Sequence, residues 1–106
     1  MIQIKYDDAK FLDLAYSLLE SGDSIVIRVP KRLKDTVQKA MCLRDAYFAA
    51  RASGKQSRTL LAKFGWYGFR TPTLWGVLNK AEILNAKIST RDEGDELVIT
   101  VAQREA

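Results

Sequence analysis

The chain has 106 residues, 47% hydrophobic and 28% charged, with a net charge of +4, as expected of one ordinary globular domain and not of a disordered or low-complexity segment. It holds no histidine and a single cysteine, Cys42, which excludes Ser-His-Asp and Cys-His catalysis, the usual zinc sites and an internal disulfide. No apolar run approaches the roughly 18–20 residues that span a bilayer, and residues 1–8 lack a charged-then-apolar secretory pattern, so a cytoplasmic, reducing setting is the expectation.

Met1 to Tyr6 alternates, with Ile2, Ile4 and Tyr6 on one side, and predicts a half-buried strand. Asp7 or Asp8 is suited to cap the next helix, in which Phe11, Leu12, Ala15, Leu18 and Leu19 recur at helical spacing before Gly22 stops it. Ser24 to Val29 predicts a second strand with Ile25, Ile27 and Val29 on one face. Pro30 then suits a helix start, and a long helix is expected over Lys31 to Ala52, with Leu33, Val37, Ala40, Met41, Tyr47 and Phe48 as its apolar side. Within it Cys42 is expected to be a small buried hydrophobe.

Ser53-Gly54-Lys55-Gln56 breaks the pattern. Ser57 is placed to cap a short helix that buries Leu60, Leu61 and Phe64. Gly65-Trp66-Tyr67-Gly68-Phe69 is rich in glycine and aromatics and predicts an irregular loop. Thr71-Pro72 starts another helix, expected to reach about Ala86, with Leu74, Val77, Leu78, Ala81 and Leu84 as its core stripe. Lys87 to Arg91 and Glu96 to Gln103 predict a hairpin turning at Asp92-Glu93-Gly94-Asp95, its acidic tip expected to be solvated. The expected fold is therefore α+β, a single domain over 1–106 in the order β-α-β-α-α-α-β-β. Its helices pack on a small, mostly antiparallel sheet, and 104–106 fray.

Charge is unevenly distributed along this order. Arg28 to Arg70 carries eleven basic residues against Asp35 and Asp45, a net +9, whereas the remainder is net −5. Such a block is the footprint of a polyanion-binding face, because cations that neutralise phosphates release condensed counterions. The candidate nucleic-acid contacts are Arg28, Lys31, Arg32, Lys34, Lys39, Arg51, Lys55, Arg58, Lys63 and Arg70. Trp66 and Tyr67 are candidates for stacking on unpaired bases. The same pattern also fits a face neutralised by the acidic ends of the chain, or a basic surface for an acidic protein partner.

Two stretches resemble DNA-binding families. Ser24 to Lys34, followed by Gly54 to Leu61, is similar to the strand and helix starts of ribbon-helix-helix repressors, although the intervening helix is longer than that family uses. The resemblance implies a dimeric ribbon on which Val26 and Arg28 face the bases. Leu60 to Gly65 followed by Thr71 to Leu74, with a hairpin beyond, resembles a winged helix-turn-helix. The expected turn, Gly65 to Arg70, exceeds the usual length, the wing tip is acidic, and the helix after it offers Asn79 and Lys80 as polar readers.

The expectation is a non-enzymatic nucleic-acid-binding protein in a regulatory or accessory role, without metal or cofactor and with a homodimer as one arrangement. The alternative is a small adaptor or inhibitor that docks on an acidic or nucleic-acid-binding surface of a protein complex. Neither reading involves a membrane.

Overall fold

The computed structural model describes residues 1–6 and 9–103. The elements follow the expected order: β1 (Ile2–Lys5), α1 (Phe11–Glu20), β2 (Ile25–Val29), α2 (Lys31–Ala52), α3 (Arg58–Gly68), α4 (Pro72–Ile83), β3 (Lys87–Glu93) and β4 (Glu96–Ala102). The chain divides into two compact units, Met1–Lys34 with Thr73–Ala106, and Asp35–Pro72. Among the described residues no helix is long and apolar enough to cross a membrane.

The first unit is built on a four-stranded mixed sheet in the order β1-β2-β4-β3. β1 and β2 run parallel, and the other two pairings are antiparallel. The two-residue period of the strands puts Ile4, then Ile25, Ile27 and Val29, then Leu97, Ile99 and Val101 on one face, and all seven are buried. Ile2 shares that side but lies at the sheet margin and stays exposed. α1 lies against β1 and β2 and buries Phe11, Ala15 and Leu19. α4 buries Leu74, Trp75, Val77, Leu78 and Ala81. Polar contacts fix these helices: the Tyr6 and Thr73 hydroxyls share a hydrogen bond of 3.2 Å, and the Tyr16 hydroxyl donates to the Gly76 carbonyl at 3.2 Å.

Several boundaries differ from expectation for local reasons. The residue at the N-cap of α1 is Lys10; the caps expected at Asp7 or Asp8, and the fraying of 104–106, lie outside the described residues. α1 does end at Gly22, whose N–H donates to Leu19 while that of Asp23 reaches Leu18. α4 stops at Ile83, short of Ala86. Asn85 takes φ 59°, and the N–H groups of Asn85 and Ala86 return to the carbonyls of Glu82 and Ala81, closing the last turn. β3 runs two residues past the expected Arg91 and reduces the turn to Gly94 and Asp95, while β4 ends at Ala102, one residue short of the expected Gln103. Gly94, at φ 73°, occupies the first position of this two-residue turn, where glycine relieves the steric cost.

The second unit is a helical hairpin made from the body of α2 and from α3. Gly54 (φ 75°) ends α2: the Gly54 and Lys55 N–H groups bond back to Arg51 and Ala50. Ser57 occupies the N-cap of α3 but makes no side-chain capping bond. The largest departure is at Gly65 to Gly68, expected as a loop and found inside α3. Two glycines cost a helix only about 1 kcal/mol each relative to alanine, too little to break it here, and the Phe69 N–H still donates to the Gly65 carbonyl at 3.0 Å. Leu61 and Phe48, expected in the core, are exposed, and Phe64 is half-buried. Cys42 is also exposed, contrary to expectation.

Candidate nucleic-acid interface

The twelve sequence-derived site residues fall into two classes. Four of them, Arg28, Lys31, Arg32 and Lys34, belong to the first unit. Arg28 stands on β2, on the sheet face opposite the core. Its Nη1 lies 3.1 Å from both Glu93 and Glu96 across the sheet, and its Nε donates to Gln3 Oε1 at 2.7 Å. Lys34 donates to the Asp92 carboxylate and the Gly94 carbonyl, with its side chain only 14% exposed. Lys31 reaches Asp95 at 3.8 Å, both side chains largely in solvent. Arg32 is exposed on the first turn of α2. The hairpin tip, expected to be simply solvated, is thus a counter-charge: Asp92, Glu93, Asp95 and Glu96 each meet a cation of the β2–α2 segment. The hydrogen bond from Arg28 holds the Glu93 carboxyl below its ordinary value of 4.5, aided by Arg91 and opposed by partial desolvation.

This placement also removes the ribbon-helix-helix arrangement. β2 is hydrogen-bonded to β1 on one edge and β4 on the other, so it has no free edge with which to form a two-chain ribbon, and α2 runs to 22 residues. The helix-turn-helix comparison changes differently. Extension of α3 shortens the connection to α4 to three residues, Phe69 to Thr71. The acidic hairpin tip is occupied by the protein's own cations, however. On α4 Lys80 is 3.7 Å from Glu20, and the exposed face around Asn79 includes Glu82.

The other eight candidates lie in the second unit, Asp35–Pro72, which has seven lysines and arginines against Asp35 and Asp45, a net +5; the rest of the chain is net −1. Because α3 is helical through Gly68, Lys63, Trp66 and Tyr67 follow i, i+3, i+4 spacing and form one stripe, which Arg70, two residues past the helix, extends through its contact with Trp66. Sequence reading as a loop hid this. The Arg70 guanidinium sits 5.9 Å from the Trp66 ring centroid and 5.7 Å from that of Phe69. Trp66 and Phe69 are each 61% exposed, their rings 6.0 Å apart in an edge-to-face pair. Lys39 of α2 joins the stripe, its ammonium 5.6 Å from the Tyr67 centroid. Beside this contact a groove of about 510 Å³ is lined by Gln38, Lys39, Cys42 and Leu43 of α2 and by Lys63 and Tyr67 of α3.

Arg51, Lys55 and Arg58 do not join it. They line a smaller groove of about 280 Å³ with Tyr47 and Leu61. At 100° per residue, Tyr47 and Arg51 turn well over 100° on average from the Gln38–Leu43 side of α2, and Arg58 and Leu61 turn similarly from Lys63 and Tyr67 on α3. The two grooves therefore open on different flanks of the helical hairpin. Arg51 stacks on Tyr47 at 5.9 Å, and Arg44 on Phe48 at 4.9 Å.

Sequence reasoning missed Phe69, Phe48, Arg44, Gln38, Leu43 and Cys42 as components of exposed features. The i, i+4 spacing of Arg44 with Phe48 was an available signal. For Cys42 and Leu43 there was none, since apolar residues in a long helix default to the core. No family model, no curated protein and no solved structure matches this chain.

Proposed function

We propose that this is a non-enzymatic nucleic-acid-binding protein, regulatory or accessory in role, and that the α2–α3 unit is its binding element. One observation carries the reading: Lys63, Trp66 and Tyr67 form a single stripe on α3, Arg70 just past its end lies over Trp66, and Lys39 stacks on Tyr67. Cations supply phosphate contact and salt dependence, and exposed rings supply stacking. Arg28, Lys31 and Lys34 of the first unit are matched with carboxylates and contribute to the fold instead. A reducing, cytoplasmic setting belongs to the same reading, because the chain's one cysteine is an exposed thiol.

Fluorescence anisotropy of labelled DNA and RNA oligonucleotides across a salt series tests the proposal. Binding at low salt that weakens steeply as salt rises, and that weakens further in Lys63→Glu and Arg70→Glu, supports it. Absence of binding to any oligonucleotide at about 50 mM salt overturns it, since electrostatic affinity is greatest there.

A second reading has its own observation. Trp66, Phe69, Leu61 and Phe48 are large apolar side chains exposed within one small unit, and tryptophan with arginine is the usual composition of a protein-interface hot spot. An adaptor or inhibitor docking through these rings would bind its protein partner and ignore oligonucleotides.

A further inference from the structure

Resting on the nucleic-acid reading, we infer that the ligand is single-stranded, with one nucleotide seated in the α2–α3 groove and the adjacent base stacked on Trp66. The stripe on α3 has the wrong chemistry for reading a duplex. Direct readout in the major groove uses Arg, Lys, Asn or Gln aimed at base edges, whereas here two rings occupy the centre of the stripe and Arg70 is drawn against Trp66 and Phe69. A ring finds a partner for its face only where a base is unstacked. The Trp66 ring is open on its exposed side, and Arg70 already holds the neighbouring space.

The groove complements this. At about 510 Å³ it falls in the size range of pockets for small organic ligands. Its walls are apolar, from Leu43, the Cys42 side chain and the Tyr67 ring, which suits the faces of a base. Lys39 and Lys63 provide positive charge for the flanking phosphates, and the Gln38 amide provides both a donor and an acceptor for a base edge. Trp66 and Tyr67 are consecutive in α3, so the base on Trp66 and the base beside Tyr67 belong to neighbouring nucleotides. The second groove differs: it is smaller, at about 280 Å³, and the ring beside it, Phe48, is less exposed than Trp66.

Cys42 is the only thiol in the chain and lies in the groove wall, which makes it a reporter in the intact 106-residue chain. Its alkylation by N-ethylmaleimide is followed by mass spectrometry, alone and with a single-stranded oligonucleotide or the matching duplex, while anisotropy measures binding of both. At ten times the Kd, a seated nucleotide slows alkylation about tenfold by mass action. Trp66→Ala, a change at an exposed ring checked by circular dichroism, weakens single-strand binding by about fivefold to a hundredfold. If the single strand binds but leaves Cys42 as reactive as before, or if the duplex binds equally tightly, this inference is wrong while the nucleic-acid reading stands. If neither binds, both fail together.

Discussion

Arg28 and Lys34 on one side, and Lys63 and Arg70 on the other, come from the same basic block, yet their surroundings have little in common. The first pair faces carboxylates of the β3–β4 hairpin. The second lies on α3 and just past its end, among aromatic neighbours. A cation matched with a carboxylate within its own fold has its charge already compensated. A cation over an exposed ring keeps its full charge, because the ring's quadrupole attracts it without neutralising it. Counting charge along a chain cannot separate these cases; the partner of each residue does.

Substitutions test this contrast, and the strongest effect is expected in the second unit. Exchanging Lys39, Lys63 and Arg70 together for Glu lowers oligonucleotide affinity more than about a hundredfold and flattens the salt slope by about 2, near 0.7 per cation for a single strand; thermal unfolding shows whether the fold is intact. Trp66→Ala follows, with an affinity loss of about tenfold and little change in salt slope, since stacking carries no charge. Equal losses from Arg28→Met and the triple variant would erase the distinction between the two classes.

Arg28→Met is expected to act on stability instead, by about 1–2 kcal/mol in urea unfolding, with oligonucleotide affinity unchanged. Its pH dependence sharpens the point. The Glu93 carboxyl is depressed in the folded protein, chiefly by the Arg28 hydrogen bond, so its contribution is complete above the ordinary value of 4.5 and disappears as pH falls through the lower folded value. The melting temperature of the parent protein therefore declines on the acid side of pH 4.5 more steeply than that of Arg28→Met. The smallest effect belongs to Lys31→Ala. Its ion pair with Asp95 is largely in solvent at 3.8 Å, and stability changes by no more than about 0.5 kcal/mol.

Most of the fold was legible because it follows from periodicity. Ile25, Ile27 and Val29 alternate as a strand must, and Leu74, Val77, Leu78 and Ala81 recur as a helix must. The site was less legible. Gly65 and Gly68 suggested a break that local helix energetics tolerate, and that one misreading scattered Lys63, Trp66, Tyr67 and Arg70 over a helix and a loop. The pairing of Arg28 with Glu93 and Glu96 joins residues more than sixty positions apart. Such contacts depend on strand register, and Arg28 opposite Val98 was not recoverable from composition.

The position of β2 between β1 and β4 also bears on the order of events during synthesis. One neighbour of β2, β1, precedes it in the chain, whereas the other, β4, begins at Glu96. The sheet's central seam cannot close until the ribosome has made everything between. The helical hairpin of α2 and α3 has its contacts clustered within Asp35–Pro72 and can form much earlier, as local structure forms faster than long-range pairing. A nascent chain arrested shortly after Pro72 emerges would already present Lys63, Trp66 and Arg70 while β2 still awaits β4.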